Sequence, residues 1–381
     1  MKKKKLIFIL PEYDPDTSTH FRYTLELADA IAEHMNVVLF IERANGIPQT
    51  KHIKKVYAQK FRNILLSQLE RLIMMLWFRL RGYNRVYVHY AYLTGLIAIW
   101  VMRLTGGKSW YWHCEQRAMF ETKWNWTLAA LKKKLFVDWP FRFLLKSVNT
   151  LITCTERMKP YYVEHFNVPA KKIEIVYNWI DVEAIKTRAS KPDHDLQKIL
   201  NIRENKKIIL YVHWLSPRKG SRALPNIFNS VLSQRKDVHF VIVGGGPDEN
   251  RLREFVKDNQ YEHYVTLTSE VPNHDIPRYF SISDVFIVPS QNEEFGRVNI
   301  EAMAMGVPLV ATQTLATEAI FTPFQKKYTS QPEDYELFSH HIQTIIDDTP
   351  LHDKLVKEGF KQVEKYDKLP NVNKFLTLFN A

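Results

Sequence analysis

Short apolar runs alternate along this chain with longer stretches in which apolar positions recur every three or four residues. The runs read as β-strands and the longer stretches as amphipathic helices. In the first half, strands fall near Leu6–Leu10, Val37–Ile41, Arg85–His89, Ser109–Trp112 and Thr150–Thr153. Helices near 20–34, 60–80, 91–104, 125–147 and 155–166 separate them. Glu174 to Asp181 predicts a short strand running into a turn, and the polar, Lys-rich stretch 187–206 around Pro192 predicts a linker. A second series opens at Lys207–Val212 and continues through Val238–Val243, Val265–Leu267, Asp284–Val288 and Leu309–Ala311. Its helices lie near 219–233, 248–258, 273–281 and 297–305, and 331–381 reads as helical throughout. This alternation argues for parallel sheets covered by helices, an α/β fold.

Length and composition add the domain count. The chain's 381 residues suit two domains, each able to bury its own core, over 1–188 and 189–365 with a last helix in 366–381. Two cysteines, Cys114 and Cys154, argue against a disulfide framework and for a reducing compartment, each a small buried hydrophobe without metal-ligand spacing. The N-terminal lysines and Leu6–Leu10 look like the start of a signal peptide. The apolar run is too short, however, and Pro11-Glu12-Tyr13-Asp14 ends it without a cleavage site, so it reads as the first strand. No window reaches the ~20 apolar residues of a spanning helix.

Charge changes the picture further. Residues 51–150 hold 18 Lys and Arg against four acidic residues, a net of +14 where the whole chain carries +12. Seven of the nine tryptophans share that window. Within it, 60–81 and 123–146 mix basic and large apolar residues at helical spacing, as interfacial helices do. Anionic lipid attracts such patches by ~1 kcal/mol per basic residue. A peripheral position on the inner face of the cytoplasmic membrane is therefore expected; the plainer alternative is a pair of helices covering a sheet. No nucleic-acid-binding motif accompanies the charge, which argues against that class of partner.

The candidate chemistry lies in the second half. Asp284 to Thr312 reads as strand, polar loop, helix and strand, with Glu293 in the loop and Glu301 in the second helical turn. The free N–H groups of that helix start face the crevice beyond the strand's carboxyl end, where anions bind in open α/β sheets. Two carboxylates beside such a tip suit a nucleotide joined to a polyhydroxyl group. The carboxylates would accept from hydroxyls while backbone takes the diphosphate. Tyr211 to Gly220 is a strand end, a loop and a helix start, where Lys219 can neutralise a diphosphate and Arg218 can assist or face solvent. Gly244-Gly245-Gly246 follows a strand and reads as a tight turn that lets backbone pass close by. In the first half, His113 and Glu115 stand just beyond a strand's carboxyl end, and Ser18 and Thr19 follow the first strand as helix-capping residues facing the cleft. Asp14 and Asp16 form a D-x-D string that reads as loop chemistry rather than a metal site.

Glu293 to Thr312, with its Phe295-Gly296 and Glu301-Ala302-Met303-Ala304, resembles the E-x7-E signature of retaining glycosyltransferases of the GT-B fold, family 4. The resemblance implies two Rossmann-like, doubly wound domains facing across a cleft, and a terminal helix that often crosses back to the first. It implies transfer of a sugar from a UDP- or GDP-linked donor to a hydroxyl of a glycan or lipid-linked acceptor. Carried over, Glu301 would hold the ribose hydroxyls, Glu293 those of the sugar, and Lys219 the diphosphate. Backbone N–H groups of Phe295, Gly296, Arg297 and Val298 would complete the phosphate site. His113 would stand near the transferred sugar, with no metal and no cofactor required. Three departures stand out: the family's Gly-Arg is His213-Trp214 here, its Asn-Gly-Ile-Asp is Asn178-Trp179-Ile180-Asp181, and the first loop lacks a Gly-Gly pair. They motivate a second reading, a non-catalytic nucleotide-sugar-binding protein. A sugar-nucleotide epimerase is a third.

Overall fold

The structure, a computed structural model, describes residues 3–15, 21–115, 127, 131, 134–189 and 193–381. These divide into two compact units, Met1–Tyr177 with Asn371–Ala381, and Asn178–Pro370.

The first unit is built on β1 (Lys5–Tyr13), β2 (Asn36–Ala44), β3 (Lys55–Ala58), β4 (Arg85–His89), β5 (Lys108–Trp112), β6 (Thr150–Thr153) and β7 (Ile173–Ile175). All pairings are parallel, in the order β3-β2-β1-β4-β5-β6-β7. Leu6–Leu10 and Val37–Ile41 are buried at every position, which is why these strands appear as unbroken apolar runs. The order reverses between β1 and β4, so right-handed crossovers place helices on both faces. The helices are α1 (Phe21–His34), α2 (Ile64–Leu80), α3 (Tyr92–Leu104), α4 (Trp139–Ser147) and α5 (Met158–Phe166). The stretch expected as one helix over 125–147 resolves, among the described residues, into a π-turn at Lys134–Asp138 followed by α4.

The chain's last turn is anchored on this sheet. Phe379 packs edge-on against Trp110 (5.1 Å between centroids) and against Tyr87 at 5.5 Å. Lys4, Arg85 and Lys108 donate to the carbonyls of Asn380, Phe379 and Ala381 at 2.6–2.8 Å, placing three cations where a helix C-terminus favours them.

One expectation about this unit needs correction. The register pairing Trp112 with Ile152 brings β5 and β6 to an end side by side, so Cys114 and Cys154 lie with Cα atoms 5.7 Å apart and form a disulfide. The 40-residue separation hid that contact. Helix α2 inverts the usual amphipathic pattern: it buries Ser67 and Arg71 with Met75 and Phe78, and exposes leucines. Beneath it Arg71 donates to Gln59 at 3.0 Å and pairs with Glu42 at 3.5 Å.

The second unit carries β8 (Lys207–Val212), β9 (Val238–Val243), β10 (Val265–Ser269), β11 (Val285–Val288), β12 (Leu309–Thr312) and β13 (Thr329–Ser330). They are parallel in the order β10-β9-β8-β11-β12-β13, reversing between β8 and β11. Helices α6 (Val182–Ala189) and α7 (His194–Ile199) precede β8, and α8 (Leu224–Gln234), α9 (Glu249–Asp258), α10 (Ile276–Ser281) and α11 (Arg297–Ala304) connect the strands. Next come α12 (Leu315–Ile320), α13 (Tyr335–Asp347) and α14 (Thr349–Val363), and α15 (Lys368–Asn380) ends the chain.

The first break between units falls at Tyr177/Asn178, ahead of the stretch 187–206 expected as the linker. The reason is that α6 packs on α10 and α11, and Asp193 both caps α7 and pairs with Arg278 at 2.5 Å. Asp181 accepts from the Ala184 N–H at 3.0 Å and Trp179 is buried, so this segment is a helix entry set into the second core.

Candidate functional site

At the switch point of the second sheet two loops leave neighbouring strand ends, 213–220 after β8 and 289–296 after β11. Ligands of open α/β sheets bind at such a point. The first loop is braced from below. The His213 N–H donates to the Val243 carbonyl (3.1 Å), the Leu215 N–H to Gly245 (2.8 Å), and the Asp248 N–H to the Leu215 carbonyl (3.1 Å). Gly244 makes this possible: it has φ of 136°, and a Cβ there would stand 2.0 Å from the His213 carbonyl oxygen. The expected role of the glycine run, close backbone passage, is what is found. Buried Tyr211 donates to the Lys219 carbonyl at 3.0 Å, and the Gln291 N–H donates to the Arg218 carbonyl at 3.0 Å, tying the two loops together.

Between the loops lies Glu293, almost fully buried. Its Oε2 accepts from the Lys219 ammonium and from His213 Nε2 (3.4 Å), and its Oε1 accepts from the Gly296 N–H at 3.1 Å. Gly296 has φ of 66° and turns the loop into α11. Burial alone would raise the Glu293 pKa. The Lys219 charge and the His213 hydrogen bond outweigh it and hold the carboxyl well below the ordinary range. The His213 pKa is lowered as well, by burial and by the Lys219 charge, against the pull of Glu293, so the ring favours its neutral form. Its Nδ1 accepts from the Trp214 N–H at 2.9 Å, which fixes the ring as the neutral Nε2–H tautomer.

The remaining second-unit candidates form pairs around this centre. Arg218 reaches Glu294 at 3.2 Å, and Arg297 reaches Glu301, one helical turn on, at 3.3 Å. Glu301 is half-buried and its carboxyl is raised by that burial, with Arg297 opposing. Lys219, expected as a cation poised for phosphate, is instead buried on a carboxylate. The Gly296 N–H, expected for phosphate, is taken by Glu293. Phe295 packs its ring on Tyr366 at 5.6 Å as a core residue, while Arg297 and Val298 open the first turn of α11. The Trp214 indole, standing where an arginine was expected, is 55% exposed. Sequence reasoning missed Glu294 as the partner of Arg218 and His213 as a holder of Glu293. The only signal for either was position, each lying in a loop at the carboxyl end of a switch-point strand.

In the first unit, His113 is buried at the end of β5, with Nδ1 2.6 Å from the Tyr162 hydroxyl, which itself donates to the His113 carbonyl at 2.9 Å. The ring is thus set by its own unit's aromatic core. Glu115 follows, half-buried. Ser18, Thr19 and Asp16 lie outside the described residues. No motif pointed to His89 and Tyr90 at the end of β4. His89 stacks on Trp112 at 4.4 Å, and Tyr90 holds a left-handed φ of 56°, a strained conformation at this sheet's own switch point. Among the described residues no group of His, Cys, Asp and Glu is placed to hold a metal ion.

Comparison with known proteins agrees with both sheets. Residues 193–362 match the family described as glycosyl transferases group 1, and residues 21–184 match glycosyltransferase family 4. The chain belongs to the family 4-like GT-B glycosyltransferases. Over 232 residues it is 28% identical to YtcC of Bacillus subtilis, a glycosyltransferase by name, covering 58% of this chain and 57% of that one. Over 249 residues it is 24% identical to the Escherichia coli UDP-Gal:alpha-D-GlcNAc-diphosphoundecaprenol alpha-1,3-galactosyltransferase, covering 63% of each. The matches thus span about three fifths of these curated relatives. Anabaena HepE, solved in complex with UDP and glucose, superposes with a TM-score of 0.75 at 16% identity over 99% of both chains, a likeness of fold.

Proposed function

We propose that the protein transfers a sugar, with retention, from a UDP- or GDP-linked donor to a hydroxyl of a glycan or lipid-linked acceptor. The observation that carries this reading is the meeting of Glu293, Lys219 and the start of α11 at the switch point of the second sheet. In this reading the donor diphosphate draws Lys219 onto itself and sits at the N–H groups of Arg297 and Val298. Glu301 takes the ribose hydroxyls and Glu293 those of the sugar. The bond from C1 to the diphosphate oxygen breaks while the acceptor oxygen bonds C1 from the same face. The acceptor proton leaves with the diphosphate, whose charge Lys219 and the helix start stabilise. His113, Glu115, Ser18 and Thr19 are proposed for the acceptor side. The UDP in HepE and the diphosphoundecaprenol named for the E. coli relative support the donor and acceptor classes.

A membrane-surface acceptor accords with α2. Its outward face carries Leu65 (77% exposed), Leu69, Leu72, Ile73, Leu76 and Leu80, with Arg79 and Arg81 at its end. Helix α3 packs between α2 and α4 and exposes Trp100, while Phe136 (72%), Trp139 and Phe143 are exposed at α4. An apolar face bordered by cations suits the interface of an anionic bilayer. Among the described residues no helix is long and apolar enough to cross one.

The test is transfer by purified Glu301→Ala and Lys219→Ala proteins that remain folded. Rates below about a hundredth of wild type are expected, from loss of charge stabilisation in the transition state, and wild-type rates would refute the assignment. Product formed from donor alone would instead indicate an epimerase.

A further inference from the structure

Three N–H donors hold the Glu293 carboxylate, and only one of them is a cation. In the proposed reaction Lys219 is shared: it pairs with Glu293 in the free protein and is needed by the diphosphate once the donor binds. A lone buried carboxylate that loses its cation is left under-satisfied and free to rotate unless something else holds the same oxygen. The second donor to that oxygen is His213 Nε2, from the first residue after β8, where the family resemblance leads one to expect glycine.

We infer that His213 is a positioning residue, a neutral hydrogen-bond donor that keeps the Glu293 carboxylate aimed while Lys219 serves the diphosphate. This rests on the proposed transferase reading and assigns one of its supports. Three observations suit the role. Nδ1 accepts the Trp214 N–H at 2.9 Å, so Nε2 must carry the ring's proton, and a second proton on Nδ1 would break that bond. The His213 backbone is pinned by the Val243 carbonyl and by the close approach of Gly244, which fixes the origin of the side chain. The charged and titratable groups facing the ring are Lys219, Arg218 and Glu293. Burial and the two cations disfavour an imidazolium, so the ring meets Glu293 as a neutral donor, and its backbone-fixed Nδ1 keeps Nε2–H aimed at the carboxylate. The site can thus exchange Lys219 between two anions without releasing Glu293.

The experiment compares His213→Ala and His213→Gln with wild type in steady-state sugar transfer, alongside UDP and GDP binding by calorimetry and thermal melts. A hydrogen bond to a charged group is at stake, so His213→Ala should lower kcat about 10- to 100-fold while donor KM and nucleotide affinity stay within about threefold. His213→Gln, whose amide can donate to the same oxygen, should recover most of the loss. Wild-type kcat in both variants would overturn the inference, as would a rise in KM at constant kcat or equal loss in both. Should the alanine protein fail to melt cooperatively, the glutamine protein decides alone: kcat near wild type supports the role, and loss without a KM change overturns it. A wild-type protein that binds neither nucleotide and transfers no sugar would defeat the transferase reading instead, a result distinct from failure of the His213 assignment.

Discussion

Removing the Lys219 ammonium tests the electrostatic heart of the site. Lys219→Met keeps the aliphatic stem in its buried slot and deletes the charge, leaving Glu293 with two N–H donors at 3.1 and 3.4 Å. Breaking one side of a buried ion pair costs about 3–5 kcal/mol. The two remaining donors place this case at the low end, about 3 kcal/mol. For a unit the size of Asn178–Pro370 that lowers its Tm by about 6–12 °C, at about 2–4 °C per kcal/mol. Glu293→Gln strands the ammonium in turn and should cost a similar amount. The double variant restores neutrality, and the single amide oxygen introduced at position 293 can still accept from one of His213 and Gly296. Its cost should therefore fall short of the two single costs combined by about 2 kcal/mol. The assay is a double-mutant cycle by urea unfolding, followed with a probe in the second unit because the two units need not melt together. Strict additivity, or a Lys219→Met cost under about 1 kcal/mol, would show that the two groups do not form a pair in solution.

Acidification should destabilise the second unit, and two of the groups responsible belong to the site. Glu293 has a folded pKa below its unfolded value, so its contribution is full at neutral pH and declines once pH falls below about 4.3; Glu293→Gln should flatten that limb in acid unfolding curves. The folded pKa of His213 is also lowered. Below about pH 6.5 the unfolded chain takes up a proton that the folded chain refuses, and stability falls; His239 and His341 act in the same direction, so His213→Gln should lessen that slope without removing it. Leu65→Asp with Leu69→Asp, both on the exposed face of α2, should abolish co-sedimentation with anionic liposomes at low salt while moving Tm by under about 2 °C. Thiol titration of unreduced, unfolded protein should find no free thiol, and reduction should destabilise the first unit by about 4 kcal/mol for a 40-residue loop; two free thiols would count against the bridge.

Much of the fold was readable because the central strands are buried on both faces and so leave unbroken apolar runs, as at Leu6–Leu10 and Val238–Val243. Short or edge strands leave none: Lys55–Ala58 is half exposed and Thr329–Ser330 is two residues long, and neither was anticipated. The carboxylates of the site were legible because Glu293 and Glu301 lie on one local element. The contacts that hold Glu293 were not. His213 and Lys219 reach Glu293 across 80 and 74 residues, and such contacts arise only when the strand order folds back at β8 and β11. The inverted face of α2 was half legible: the mixture of cations and leucines was plain, but periodicity alone does not say which side faces the sheet. The Arg71–Glu42 pair beneath it settles that side, joining residues from two elements.

Nucleotide binding measured by calorimetry tests the central claim most directly. UDP, GDP and ADP titrated into the wild-type protein should show one diphosphate binding at micromolar Kd. Lys219→Ala should weaken that binding by about tenfold or more, and so should Glu301→Ala, each removing a charge-assisted contact. Binding of none of the three, or equal affinity in wild type and both variants, would mean that the switch point of the second sheet is not a nucleotide-sugar site.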